Sequence, residues 1–259
     1  MTTEQFIYSG WTWNPVTLAT IALAVVLYPV VFRDRRRIGW YLAALTVLLL
    51  TLVSPLNTLA DGYLFSAHMT QHILLLLIVP AMLMASLPRR MSLARGPRVF
   101  SNPLTGWFAG VGAMWFWHAP ALCNAAVSSR PIHALQTVSL LALGCLFWRQ
   151  ILAPRDEERL SPPTAVFYLF SACVTCSILG IIITFSPVTV CSIYAAPPAD
   201  PLGLLPTIRN GWSLSPERDQ QIGGLLMWVP MCLIYLSAIF AQIARWFARS
   251  PGRAMENTL

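Results

Sequence analysis

Seven apolar stretches, most of them about 17–25 residues long with the second and fourth shorter, are divided by short arginine-bearing segments and decide what this chain can become, because a helix of about 20 residues crosses a hydrocarbon core. They run near 16–32, 39–53, 67–87, 104–118, 132–152, 164–185 and 221–247. Lipid offers no partner for free backbone N–H and C=O groups, so each stretch is expected as helix. Composition agrees: only 10% of residues are charged and 56% are hydrophobic, where a soluble domain carries about 25% charge. The expected fold class is an all-α membrane protein, a seven-transmembrane-helix bundle. It would form a single membrane domain over 1–259, with a long proline-rich outer loop at 186–218.

The arginines give that bundle a direction. One set of connecting segments holds Arg33, Arg35, Arg36, Arg37, Arg89, Arg90, Arg95, Arg98, Arg149, Arg155, Arg159, Arg245, Arg249 and Arg253; the other holds Arg130, Arg209 and Arg218. Across seven spans the richer set belongs in the cytoplasm, which puts the N-terminus outside and the C-terminus cytoplasmic. The net charge of +7 is thereby read as a topology signal, with no nucleic-acid partner. All basic residues are arginine, which excludes a lysine Schiff base or lysine nucleophile. Trp11, Trp13, Trp40, Trp107, Trp117, Trp148, Trp212 and Trp246 fall near the expected span ends, as in an aromatic belt. Residues 1–14 contain no arginine, so no cleavable signal peptide is expected.

The chain has four histidines, His68, His72, His118 and His133. On the expected topology all four lie toward the outer face, on three helices. His68 and His72, four residues apart, share one face of a helix. Ionisable groups within a membrane are costly and mark function, and imidazole is the commonest metal ligand. Asp219, at the start of the last span, is a candidate ligand or an acceptor that orients an imidazole. Met69 and Met227 offer thioethers, and Cys123 and Cys191 offer thiols in outer loops. Cys173 and Cys176 form a Cys-x-x-Cys pair near mid-membrane, where packing is the preferred reading. Gly223-Gly224 is a small patch that admits a close helix neighbour.

Three segments carry a family resemblance. Ser66-Ala67-His68-Met69-Thr70-Gln71-His72-Ile73-Leu74-Leu75 resembles the hallmark of the CtaG family, the multi-span assembly factors of caa-type cytochrome c oxidase. Trp117-His118-Ala119-Pro120-Ala121-Leu122 is similar to a second family segment. Asp219-Gln220-Gln221-Ile222-Gly223-Gly224-Leu225-Leu226-Met227-Trp228-Val229-Pro230 is similar to a third. The segment His133-Ala134-Leu135-Gln136-Thr137 matches the family's His-x-x-Glu-His pattern only in part. The resemblance implies a non-enzymatic assembly factor of the bacterial plasma (inner) membrane. It would bind copper, as Cu(I), and supply the copper B centre of the oxidase catalytic subunit, docking within the bilayer; a homodimer is left open.

The expected metal set is His68, His72 and His118, with His133, Asp219, Met69 or Met227 completing or supporting it. Imidazole with thioether suits copper, whereas imidazole with carboxylate and water suits zinc. Two alternatives follow from the same residues. One is a seven-span zinc hydrolase that recruits Ser66 and Asp219 around a metal-bound water. The other is a haem or metal transporter, since facing histidines ligate haem.

Overall fold

A computed structural model describes residues 1–32, 35–94 and 97–249, and the regular structure among them is helical. The main helices are α1 (Thr3–Ser9), α2 (Pro15–Val31), α3 (Ile38–Val53) and α4 (Pro55–Ala60), then α5 (Phe65–Ser86). They are followed by α6 (Pro103–Trp117), α7 (Pro120–Ser128), α8 (Arg130–Leu152), α9 (Pro162–Phe185) and α10 (Pro216–Arg249). Several starts are set by the same local chemistry. Asn14, Ser54 and Asn102 each accept a backbone N–H at the start of the helix that follows, with proline next in sequence.

The span count differs from the sequence expectation. Among the described residues four helices are long and apolar enough to cross a membrane: α5, α8, α9 and α10, with 22, 23, 24 and 33 residues in their spanning segments. The other three expected spans fall on α2, α3 and α6, of 17, 16 and 15 residues. At a rise of about 1.5 Å per residue these reach roughly 22–26 Å, short of a hydrocarbon core about 30 Å thick. The apolar runs are there, but the Asn-Pro and Ser-Pro starts and the breaks at Phe32, Ser54 and His118 cut the helices short. The seven-span bundle is corrected to four spanning helices with shorter apolar helices packed beside them. The direction read from alternation across seven spans falls with it. Arg33, Arg95 and Arg253, which entered that alternation, lie outside the described residues. The aromatic belt is corrected too: Trp117 and Trp148 are buried in the core.

α9 and α10 form the most extensive helix pair, and glycine sets their distance. A Cβ on Gly224 would stand 2.7 Å from the backbone nitrogen of Thr184. Its neighbour Gly223 faces the other way, where a Cβ would meet the Phe65 ring at 2.5 Å and Met69 at 3.2 Å. The Gly-Gly pair thus draws α10 onto α9 and α5 at once.

α5 is not a uniform helix. Pro80 has no N–H to return to the Leu76 carbonyl, and the helix widens into a π turn over Leu74–Ile78. Gly144 of α8 lies against that carbonyl, so close that a Cβ would sit 2.4 Å from the Leu76 oxygen.

A cap of short elements covers the end of the bundle where α5 begins. Phe6, Ala60, Tyr63, Leu64, Ala67, Leu204 and Ile208 form its own buried cluster. The Met1 ammonium donates to the Gly203 carbonyl at 3.1 Å, and Trp212 donates to the Thr3 hydroxyl. Cys191 is disulfide-bonded to Cys123 of α7, and Asn124 accepts the Ile193 N–H beside it. Asp200 accepts the N–H groups of Leu204 and Leu205 and the Tyr63 hydroxyl. Slight burial opposes ionisation of Asp200, but these donors prevail and hold its carboxyl below the usual aspartate range. The contacts of a carboxyl shifted that way persist at neutral pH and are lost only as pH falls through the lowered value.

Gly144→Ala should therefore destabilise the bundle by about 1–3 kcal/mol through overpacking against backbone. Gly112→Ala, where a Cβ meets nothing within 4 Å, should be close to neutral. Thermal unfolding of the two variants in detergent checks the contrast.

Candidate functional site

The start of α5 carries the first two histidines, and a residue far along the chain fixes it. Leu64, which precedes α5, offers no side-chain cap. Instead Asp219 of α10 accepts the Phe65 N–H at 2.6 Å, the Ser66 N–H at 3.1 Å and the Ser66 hydroxyl at 2.5 Å. A carboxylate suits this position because the first N–H groups of a helix are unpaired and carry partial positive charge. Gln71 fixes the rotation of α5, donating to the Thr51 carbonyl at 2.9 Å and the Asn57 side chain at 3.0 Å.

With α5 held this way, His68 and His72 are turned inward and buried, at 1% and 2% exposure. Their ring centroids are 4.4 Å apart. All four of their ring nitrogens are buried without a hydrogen-bond partner. A buried unpaired polar atom costs about 1–3 kcal/mol, so a cluster of four calls for a functional explanation.

His118 reaches the same place from the end of α6, its ring 5.0 Å from that of His72. Its Nδ1 lies 2.5 Å from the Met114 carbonyl one turn back. A carbonyl only accepts, so Nδ1 carries the proton and Nε2 keeps its lone pair. That Nε2 stands 2.9 Å from the Met69 sulfur. A lone-pair nitrogen and a thioether thus face each other where water is excluded, an arrangement suited to a shared soft cation.

The remaining candidates occupy different positions. His133 is at the rim: its ring lies 6.3 Å from His68 and its Nδ1 is 3.4 Å from a carboxylate oxygen of Asp61. Asp219 has both oxygens engaged at the start of α5. Met227 is buried in the main core one helical turn past Gly223, the glycine that packs on Met69. Cys123 and Cys191 are bonded to each other, which removes them as thiol donors. Cys173 lies 3.3 Å from the Cys232 sulfur across the contact of α9 and α10. Among the described residues, no group of three or more His, Cys, Asp or Glu side chains is placed to hold a metal ion together; His68, His72 and His118 are instead neighbours in a row, with the Met69 thioether beside His118.

Two site neighbours lie outside the expected metal set. Tyr194, from the cap, donates to the Ala60 carbonyl and lays its ring 5.9 Å from those of Phe65 and His68. No periodicity marks a loop tyrosine. Gln136, one turn past His133, is buried with its amide nitrogen unpartnered; its spacing from His133 was the available signal.

Asp219→Ala is expected to cost about 1–2 kcal/mol, as the loss of a helix cap with two N–H groups left unpaired. Asp219→Asn, which keeps one acceptor oxygen, should recover part of that. The order of the midpoints in thermal unfolding tests the assignment.

Comparison with known proteins adds the following. A family model described as cytochrome c oxidase caa3 assembly factor (Caa3_CtaG) matches residues 27–249. An uncharacterized protein of Mycobacterium leprae (strain TN) is 23% identical over 279 residues, taking in 95% of this chain. The chain spans 40% of that relative's own length. No solved structure matches.

Proposed function

Because the chain belongs to the cytochrome c oxidase caa3 assembly factor family, matched over most of its length, we propose that it carries copper for the oxidase. It is a multi-pass protein of the bacterial inner membrane, with α5, α8, α9 and α10 as spanning helices. In this reading its role is assembly, without a catalysed reaction of its own. Copper is its cargo, held as Cu(I) by His68, His72 and His118 with the Met69 thioether, and passed to the copper B centre of the catalytic subunit through contact within the bilayer.

The observation that carries this reading is the set of four buried, unpartnered nitrogens on His68 and His72. Each neutral imidazole has one lone-pair nitrogen, so a bound cation would engage one nitrogen on each ring. The donors are all neutral, and the cost of moving an ion out of water rises with the square of its charge. A monovalent soft ion therefore suits them better than a divalent one. The zinc alternative leans on a carboxylate, and Asp219 is engaged at the start of α5.

The test is the metal content of the purified protein, with and without added Cu(I). Near-stoichiometric copper is expected in the unaltered chain. His72→Ala should lose most of it while the bundle stays folded. Copper retained equally by the His68→Ala and His72→Ala variants would place the cargo elsewhere.

A further inference from the structure

Resting on that reading, we infer that His133 and Asp61 form an intake site, a mouth at which the ion is captured and from which it steps inward along the histidines. The rings make a continuous file. Centroids are 6.3 Å apart from His133 to His68, 4.4 Å from His68 to His72 and 5.0 Å from His72 to His118. Exposure falls along it. The Asp61 and His133 side chains are 52% and 23% exposed, whereas His68, His72 and His118 are at 1%, 2% and 4%.

This gradation fits transfer better than shared ligation. A first-row ion sits about 2 Å from a ring nitrogen, so two rings spaced as His68 and His72 are can hold it together while one bond forms and the other breaks. His133 is the far member of the file and the one open to water. A carboxylate beside it attracts a cation, yet as a hard oxygen donor it holds a soft monovalent ion weakly. The pair therefore gathers the ion without competing with the inner donors. Asp61 suits this task where its neighbours do not: Asp219 is buried and fully engaged, and Asp200 is tied to the cap backbone.

An intake site changes rates, not the final equilibrium. Full-length protein in detergent is mixed with Cu(I) supplied as a coloured chelator complex; the time course gives the rate of withdrawal and the end point gives the affinity. His133→Ala should slow uptake, and release to excess chelator, by about tenfold each while the end point stays within about twofold. Asp61→Asn should slow uptake in the same direction, with the difference shrinking at high ionic strength; it serves as the second variant if His133→Ala fails to fold. An end point lowered as far as in His72→Ala would make His133 a resident ligand and overturn the intake role, as would unchanged rates in both variants. No withdrawal of copper by the unaltered chain would overturn the copper reading itself, and the intake role with it.

Discussion

The hydrogen bonds from Phe65 and Ser66 to the Asp219 carboxylate hold the site together. They join the first turn of α10 to the first turn of α5 across 154 residues of sequence. Three further features depend on that joint. Gly223, one turn along from Asp219, lies against Phe65 and Met69 because the two helices start side by side. His68 and His72 face inward because the start of α5 cannot rotate. The Met69 sulfur, on the same turn, is thereby brought to the His118 ring arriving from α6. A carboxylate read from sequence as a candidate ligand serves here as the fastener of the helix that carries His68 and His72.

The buried imidazoles are kept in one tautomer or left unpaired by equally local means. The Met114 carbonyl fixes the proton on His118 Nδ1 and frees Nε2. The Gln136 side chain approaches His72, but no hydrogen bond of normal geometry closes on either ring, so the nitrogens of His68 and His72 are uncommitted in a place where an uncommitted polar atom is costly. Packing alone gives no reason for two histidines here, since an apolar side chain would fill the same volume without that cost. Around this core the cap, tied down by the Cys123–Cys191 disulfide and by Asp200, covers the site and leaves His133 and Asp61 at its edge.

Much of this was legible in the sequence where the signal was local. The four-residue spacing of His68 and His72 put both rings on one face, and they are found there. The apolar runs identified the helices. Their number as membrane spans was not legible, because hydropathy registers a 15-residue apolar helix such as α6 much as it does a true crossing. What separates them is where capping asparagine, serine and proline cut the helix. Long-range pairings were hidden for a different reason: no local pattern tells Asp219 to cap α5, or Cys123 to bond Cys191 across 68 residues. Trp148 illustrates the same limit, since a position near a helix end says nothing of which face a neighbouring helix covers.

The proposal under test is that three imidazoles and one thioether, with no carboxylate among them, would hold copper. X-ray absorption of the copper-loaded protein tests it most directly, because edge and fine structure report oxidation state and ligand type together. A Cu(I) edge is expected, with a shell of imidazole nitrogens and one sulfur, the sulfur contribution disappearing in Met69→Leu. A Cu(II) edge with an oxygen-rich shell, or a sulfur-only shell unchanged by Met69→Leu, would contradict it.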